Sequence, residues 1–237
     1  MPPCSISLSK WWKLVTEPYE VCKDVYVVGD SELSHPSDCC VYLLDAGDLV
    51  LIDSGAGRSF DKLVSNIERL GFEPKRLKAV LVTHAHIDHI GSLRRFQKEF
   101  GVQVIAHELD AGAIEEGRGV AAEAYGVEYT PCHVDLRIQG SEETLQFERH
   151  DLKVIHIPGH TAGSIAAYLD TDNKRVLFGQ DIHGPYYSEW GADPAQAKLS
   201  LQKLLELKAD ILCEGHFGIY QPAAAVERYI QGYLDSL

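Results

Sequence analysis

The stretch His84-Ala85-His86-Ile87-Asp88-His89 constrains this chain more than any other feature, because it packs three of the 11 histidines and an acid into six residues. It follows directly on the apolar run Ala79 to Val82, which reads as a short buried strand. Three later points repeat the pattern: His160 in Pro158-Gly159-His160-Thr161, Asp181 in Gly179-Gln180-Asp181, and His216 in Glu214-Gly215-His216. Each falls at the end of a predicted strand and has glycine beside or near it. Glycine lets backbone approach a crowded centre and take positive φ, which suits a metal shell better than a solvated histidine. Taken alone, the first cluster also reads as a polar helix start with Asp88 favourable near the macrodipole. The ordered set of seven, all at strand ends, points instead to metal ligation. His84 and His86, two apart on an extended segment, can point one way, whereas Asp88 and His89 on the following helical turn point to a neighbouring position. Seven ligands so divided suit two adjacent metals.

The rest of the pattern alternates strand and helix, as in an α/β protein. Val25 to Gly29, Val41 to Asp45 and Leu49 to Asp53 read as strands, the last two joined by Ala46-Gly47-Asp48. Phe60, Leu63, Val64, Ile67 and Leu70 have helical spacing, with Ser59 as the expected N-cap and Gly71 as the stop. A second helix is expected from His89 to Phe100, then a strand over Val102 to Ala106. Residues 112 to 140 show no clear period and read as helical fragments and loops forming a wall or lid. Strands are expected again at Leu152 to Ile157, Ser164 to Leu169, Arg175 to Phe178 and Ile211 to Cys213. Asp193 with Pro194 caps one late helix, and Ala223 to Leu234 forms the last. No repeat or long linker divides the 237 residues, so one domain over 1 to 237 is expected.

These motifs resemble those of the metallo-β-lactamase superfamily over nearly the whole chain. Leu51-Ile52-Asp53-Ser54-Gly55 is similar to its early LIDTG-type turn, Thr83 to His89 to its THxHxDH motif, and Pro158 to Ser164 to its PGHTxGS segment. The resemblance implies a four-layer αββα sandwich. It implies one metal held by His84, His86 and His160, a second held by Asp88, His89 and His216, and Asp181 bridging both. Zinc is expected, with iron or manganese as alternatives. Asp53 is implied to stand behind the histidines and orient a ligand imidazole.

Within the superfamily, the bridging Asp181 counts against a β-lactamase and favours the glyoxalase II, lactonase, phosphodiesterase and ribonuclease Z branches. A full glyoxalase II is expected to carry a helical C-terminal domain with basic residues for glutathione, whereas about 20 residues follow His216 here, so cleavage of a glutathione thioester is not the expectation. The leading expectation is a dinuclear hydrolase acting on a small ester, thioester or lactone, with Asp88, Asp181 and Tyr186 as catalytic residues. Two divalent ions there would acidify a shared water toward about pH 7 and polarise a carbonyl oxygen. No GxSxG elbow is present, and none is needed. The alternatives are a mononuclear iron oxygenase resembling the persulfide dioxygenases, using His84, His160 and Asp181, or a phosphodiesterase or nuclease of the same fold.

Tyr186 stands with His183, Tyr187 and Trp190 in a Gly/Pro loop expected at the mouth of the site, where a phenol could donate to an oxyanion. Packing is the equal alternative. His107 and Asp110 are left outside the site, and Thr161 is unassigned. His35, His133, His150 and His156 are expected to be surface or satisfied core histidines. Cys39 and Cys40 are expected to be buried thiols, since neighbours on a strand point to opposite faces.

Composition narrows the partners. A net charge of -13, from 22 basic and 35 acidic residues, opposes nucleic acid. No stretch matches a membrane span, and Met1 to Lys10 lacks the basic and apolar regions of a signal peptide, so a cytoplasmic protein with a small-molecule substrate is expected. The six cysteines include no CxxC pair and are read as free thiols.

Overall fold

The structure is a computed structural model that describes residues 17–188 and 191–237. Cys4, Met1 to Lys10 and Trp190 therefore lie outside the described residues.

The first sheet has seven strands in chain order: β1 (Tyr19–Cys22), β2 (Val25–Gly29), β3 (Val41–Ala46), β4 (Asp48–Ile52), β5 (Leu77–Leu81), β6 (Gln103–His107) and β7 (Leu136–Ile138). β1 to β4 form an antiparallel meander, and β4 to β7 run parallel. The parallel part needs crossovers, supplied by α1 (Phe60–Arg69), then α2 (Ile87–Ile90) with α3 (Leu93–Phe100), then α4 (Glu108–Glu116) with α5 (Ala122–Tyr125). The second sheet holds β8 (Glu142–Gln146), β9 (Asp151–His156), β10 (Ile165–Thr171), β11 (Lys174–Gly179), β12 (Ile211–Glu214) and β13 (Ile219–Tyr220). Their spatial order is β13-β12-β11-β10-β9-β8. α6 (Pro194–Glu206) connects β11 to its parallel neighbour β12, and α7 (Ala223–Ser236) packs beside it.

Three buried clusters define four layers. Phe60, Leu63 and Ile67 of α1 and Leu93 and Phe96 of α3 cover Leu43, Leu51, Val80 and Val104 of the first sheet. Tyr42, Leu44, Val50, Ile52 and Leu81 on the other face meet Val154, Ala167, Val176 and Phe178 of the second sheet. Leu201 and Leu204 of α6 and Val226 and Ile230 of α7 cover Ala166, Leu177 and Leu212. β3 and β4 are buried on both faces and so read as near-continuous apolar runs. Removing Phe96, which packs 4.7 Å from Phe60 between ring centroids, would cost about 3–5 kcal/mol. This is the expected αββα sandwich.

Three local expectations need correction. The helix expected over 89–100 is two helices, broken at Gly91, where a Cβ would overlap the Ala56 backbone. Ser59 sits at the start of α1, but its side chain bonds no helix N–H. The weakly patterned segment 112–140 contains most of α4, α5 and β7, whose buried residues are too few to show a period. β1, β8 and β13 were also not anticipated. Asp193 does cap α6, its Oδ1 accepting from Ala195 N at 2.9 Å and Gln196 N at 3.1 Å. Among the described residues no helix is long and apolar enough to cross a membrane.

Candidate metal centre

The site forms where the carboxyl ends of both sheets meet. Ile165 N of β10 donates to Thr83 O at 2.9 Å, and Cys40 N ahead of β3 donates to Gly215 O at 2.6 Å, so the loops after β5, β9, β11 and β12 face one another. All seven residues expected from sequence come together there. Two of the backbone turns are strained to do so: Asp53 at φ 62° and Asp181 at φ 52° both occupy the left-handed region. Gly215 is required beside Asp181, because a Cβ there would overlap Asp181 Oδ1.

His84, His86 and His160 converge on one point. His86 Nδ1 lies 3.1 Å from His84 Nε2 and 2.9 Å from His160 Nε2. The remote nitrogens are already used: His84 Nδ1 is 3.2 Å from Thr83 Oγ1, and His160 Nδ1 donates to Pro185 O at 3.0 Å. With protons there, both Nε2 atoms aim lone pairs at the same point, and the single Nδ1 of His86 can satisfy only one. A cation satisfies all three. Burial, together with the neighbouring imidazoles, pushes His84 well below its usual value, and burial pushes His160 down to about 4, so both are neutral ligands at neutral pH.

Asp88, His89 and His216 form the second group. His216 Nε2 is 3.2 Å from Asp88 Oδ2, and His89 Nε2 is 3.5 Å from the same oxygen. His89 donates from Nδ1 to Asp53 Oδ2 at 2.8 Å, which turns its Nε2 inward. Asp53 also accepts from Thr83 N at 2.8 Å and Thr83 Oγ1 at 2.7 Å, so it does orient a site imidazole. Burial alone would lower His216, but the carboxylates of Asp181 and Asp88 beside it push it up to about 10. Burial is likewise overcome at His89, where Cys39, Asp181, Asp88 and Asp53 raise it well above the usual range. At Asp181 burial is outweighed by His89, His216 and His84, which hold the carboxyl well below its ordinary value.

Asp181 lies between the groups. Its Oδ2 is 3.4 Å from His160 Nε2 and 3.7 Å from His84 Nε2, while Oδ1 is 3.3 Å from His216 Nε2 and 3.4 Å from His89 Nε2. Among the described residues, His89 Nε2 and Asp181 Oδ1 are buried without a hydrogen-bond partner. Orphaned buried atoms of this kind are costly unless a ligand takes them up. A donor set of imidazoles and carboxylates, with these atoms unmet, fits divalent metal ions.

Sequence reasoning missed two supporting carboxylates. Asp110, buried on α4, accepts from Ala85 N at 2.9 Å, Thr161 Oγ1 at 2.7 Å and Gly163 N at 2.8 Å, tying the His84-His86 segment to the His160 loop. Glu214, fully buried, accepts from His216 N at 2.7 Å and Phe217 N at 3.0 Å. Thr161 thus finds its role through Asp110. Tyr125 was also missed: it lines the cavity, and burial together with the adjacent Asp88, to which it hydrogen-bonds, raises its phenol. Tyr186 does not line that cavity; its hydroxyl donates to Ile182 O at 2.7 Å, and its ring stands 6.4 Å from that of His160.

The remaining histidines have other partners. His150 Nε2 is 2.9 Å from Asp24, His133 Nδ1 2.9 Å from Glu115, and His35 Nδ1 accepts from Ser37 N at 3.1 Å. His156 stacks on His107 at 3.9 Å between centroids. Cys39 and Cys40 are both buried thiols, Cys39 lying against Asp53 and His89.

The chain matches the family model of the metallo-beta-lactamase superfamily over residues 36–216. It is 27% identical over 146 residues to the hydroxyacylglutathione hydrolase GloC of Haemophilus influenzae, covering 61% of this chain and 66% of that protein. It is 31% identical over 138 residues to a Bacillus subtilis protein named Probable metallo-hydrolase YqgX, covering 56% of this chain and 62% of that protein. The matches thus span just under two thirds of these relatives. In fold it is similar to a metallo-beta-lactamase of Cronobacter sakazakii carrying substitutions in its HARLDQ motif, with TM-score 0.78, 21% identity and coverage of 93% of this chain and 94% of that one. With the family motifs, the layered fold and the converging histidines and aspartates in agreement, the chain belongs to the metallo-beta-lactamase superfamily.

Proposed function

We propose that this protein is a dinuclear metal-dependent hydrolase, holding two zinc ions per chain and cleaving a small ester, thioester or lactone. The observation that carries this reading is the orientation of Asp181, one oxygen toward His84 and His160 and the other toward His89 and His216. The H. influenzae relative, named for thioester hydrolysis, supports a thioester among the substrates.

Bound ions of this kind supply an acidified water and polarise the carbonyl oxygen. The chain supplies the rest. Thr83 and Pro185 fix the rings of His84 and His160, and Asp53 fixes His89, so each imidazole is set before substrate arrives. Asp88, at the edge of a cavity of about 360 Å3, is placed to hold a proton in transit on its carboxylate. Tyr125 is the phenol on the cavity wall. Tyr186, whose hydroxyl closes its own turn, stiffens the segment that presents Pro185 O to His160.

Elemental analysis of protein purified without chelators tests the reading. Two divalent ions per chain, with turnover of uncharged esters or thioesters, is the expected result. One iron per chain with oxygen uptake on persulfides would replace it by an oxygenase of the same fold. No metal after reconstitution would overturn both.

A further inference from the structure

A second cavity, of about 650 Å3, adjoins the catalytic one: Tyr125 lines the catalytic cavity, and the next residue, Gly126, lines this one. Arg58, Arg94, Arg95 and Lys98 also line it, and Glu128 is the one acid among the described lining residues. Four of eleven lining residues are thus basic, against 22 basic residues among the 237 of a chain with net charge -13. A concentration of cations that runs against the composition attracts anions to one place.

Arg95 is neutralised within the fold. Its guanidinium lies 2.9 Å from Asp61 Oδ1 and 3.1 Å from Glu99 Oε1, with Cζ 3.8 Å from the centroid of the Phe60 ring. Arg58, Arg94 and Lys98 form no ion pair among the described residues. Arg58 is nonetheless held in place, donating from Nη2 to Gly126 O at 2.7 Å. Arg94 and Lys98 stand four residues apart on α3, where like charges on successive turns repel. Glu128 offsets one of these three charges, and three minus one leaves an excess of two. A phosphate monoester brings about -1.5 to -2 at neutral pH, and its terminal oxygens suit guanidinium forks. A carboxylate, with a single charge, leaves part of the repulsion standing. The volume falls within the roughly 300–1,000 Å3 of small-molecule sites, far beyond a bare phosphate, and Ala56 and Val127 offer apolar surface to an organic group on the ester.

We propose that this cavity is a second binding site, in which Arg58, Arg94 and Lys98 hold the phosphate of a small organic phosphate monoester. The site stands apart from the metal centre and does not rest on the hydrolase reading. The phosphate is borne by a separate molecule or by the thiol part of a thioester substrate, and the test separates these sources.

The test begins with calorimetric titration of the zinc-loaded full chain with adenosine 5'-monophosphate and with uncharged adenosine. The monophosphate should bind at least about tenfold tighter, the scale of one charged hydrogen bond. In the double variant Arg94→Gln with Lys98→Gln, both exposed residues, that advantage should disappear, with zinc content and far-UV circular dichroism unchanged. Lys75→Gln with Lys78→Gln, which removes the same charge from residues that do not line the cavity, should leave the advantage intact. Equal affinity for the two ligands overturns the proposal. An advantage that survives in Arg94→Gln with Lys98→Gln also overturns it, by placing the phosphate elsewhere, and an equal loss in the Lys75 and Lys78 variant does so by reducing the effect to net charge. Kinetics with butanoyl-coenzyme A, whose thiol part carries a phosphate monoester, and with the butanoyl thioester of N-acetylcysteamine then assign the source. A KM about tenfold lower for the coenzyme A thioester, lost in Arg94→Gln with Lys98→Gln, puts the phosphate on the substrate. Equal KM values with the binding intact put it on a separate molecule. Turnover of neither thioester tells against the hydrolase reading alone, because the calorimetry does not depend on turnover.

Discussion

The two halves of the metal centre are built from similar side chains but have opposite electrostatics. In the group of His84, His86 and His160, burial and mutual repulsion keep the imidazoles neutral, with His160 down at about 4. In the group of Asp88, His89 and His216, carboxylates overcome burial and keep both imidazoles protonated in the metal-free protein, with His216 near 10. The first half is prepared for a cation. The second holds its protons more tightly, and a metal bound there, as proposed, would have to displace them. The difference arises from the neighbours: Asp53 bonds His89, and Asp88 lies within 3.5 Å of His89 and 3.2 Å of His216, while Asp181 faces both halves.

Removing the shared carboxylate should have the largest effect. Asp181→Ala is expected to reduce turnover to background and metal content to one ion or fewer, with far-UV circular dichroism unchanged. Full activity with both metals would break the bridging assignment.

Proton displacement predicts the next effect. Between about pH 6 and 9, affinity at the second position should rise at least about tenfold per unit as protons leave His89 and His216. The first position should be nearly flat there, because its imidazoles are lowered and already deprotonated. Metal titration at several pH values distinguishes them, and parallel slopes would break the comparison.

Asp53→Asn should then weaken the second position about 10–100-fold, since the carboxylate that turns His89 inward is lost, with the first position less affected. Asp110→Asn should act in the reverse sense and more weakly, about tenfold at the first position, because Asp110 holds the backbone around His84, His86 and His160 and not an imidazole. Competition with a chromophoric chelator measures both. Equal loss at the two positions in either variant would show that the halves do not load separately.

The seven centre residues stood out in the sequence because a cluster of three histidines and an aspartate within six residues, followed by His160, Asp181 and His216 beside or near glycine at successive strand ends, is a rare combination with a shared chemical purpose. Asp53 was legible through its turn motif. Asp110 and Glu214 were not, because a lone acid early in a helix or at a strand end looks like any solvated charge. Most of their partners are backbone N–H groups, which leave no mark in the residue pattern, and the two that donate to Asp110 lie 25 and 53 residues away. β7 and β8 escaped for a related reason: as edge strands they bury only Ile138 and Leu145, too few for a period. Tyr186 and Tyr125 show the limit most sharply. Tyr186 follows the Asp181 motif and so drew attention, but its hydroxyl bonds to its own loop. Tyr125, in an unpatterned stretch, is the tyrosine that reaches the cavity.

By itself the sequence determined the alternation of strands and helices, the residues at their ends and the family to which they belong, because apolar periodicity and ligand chemistry are written in residue type and spacing. Only the tertiary structure decided which oxygen of Asp181 faces which histidines, which carboxylates brace the loops and which side chains line the cavity. Those follow from side-chain direction and from backbone contacts between distant segments, and neither is fixed until both sheets have packed.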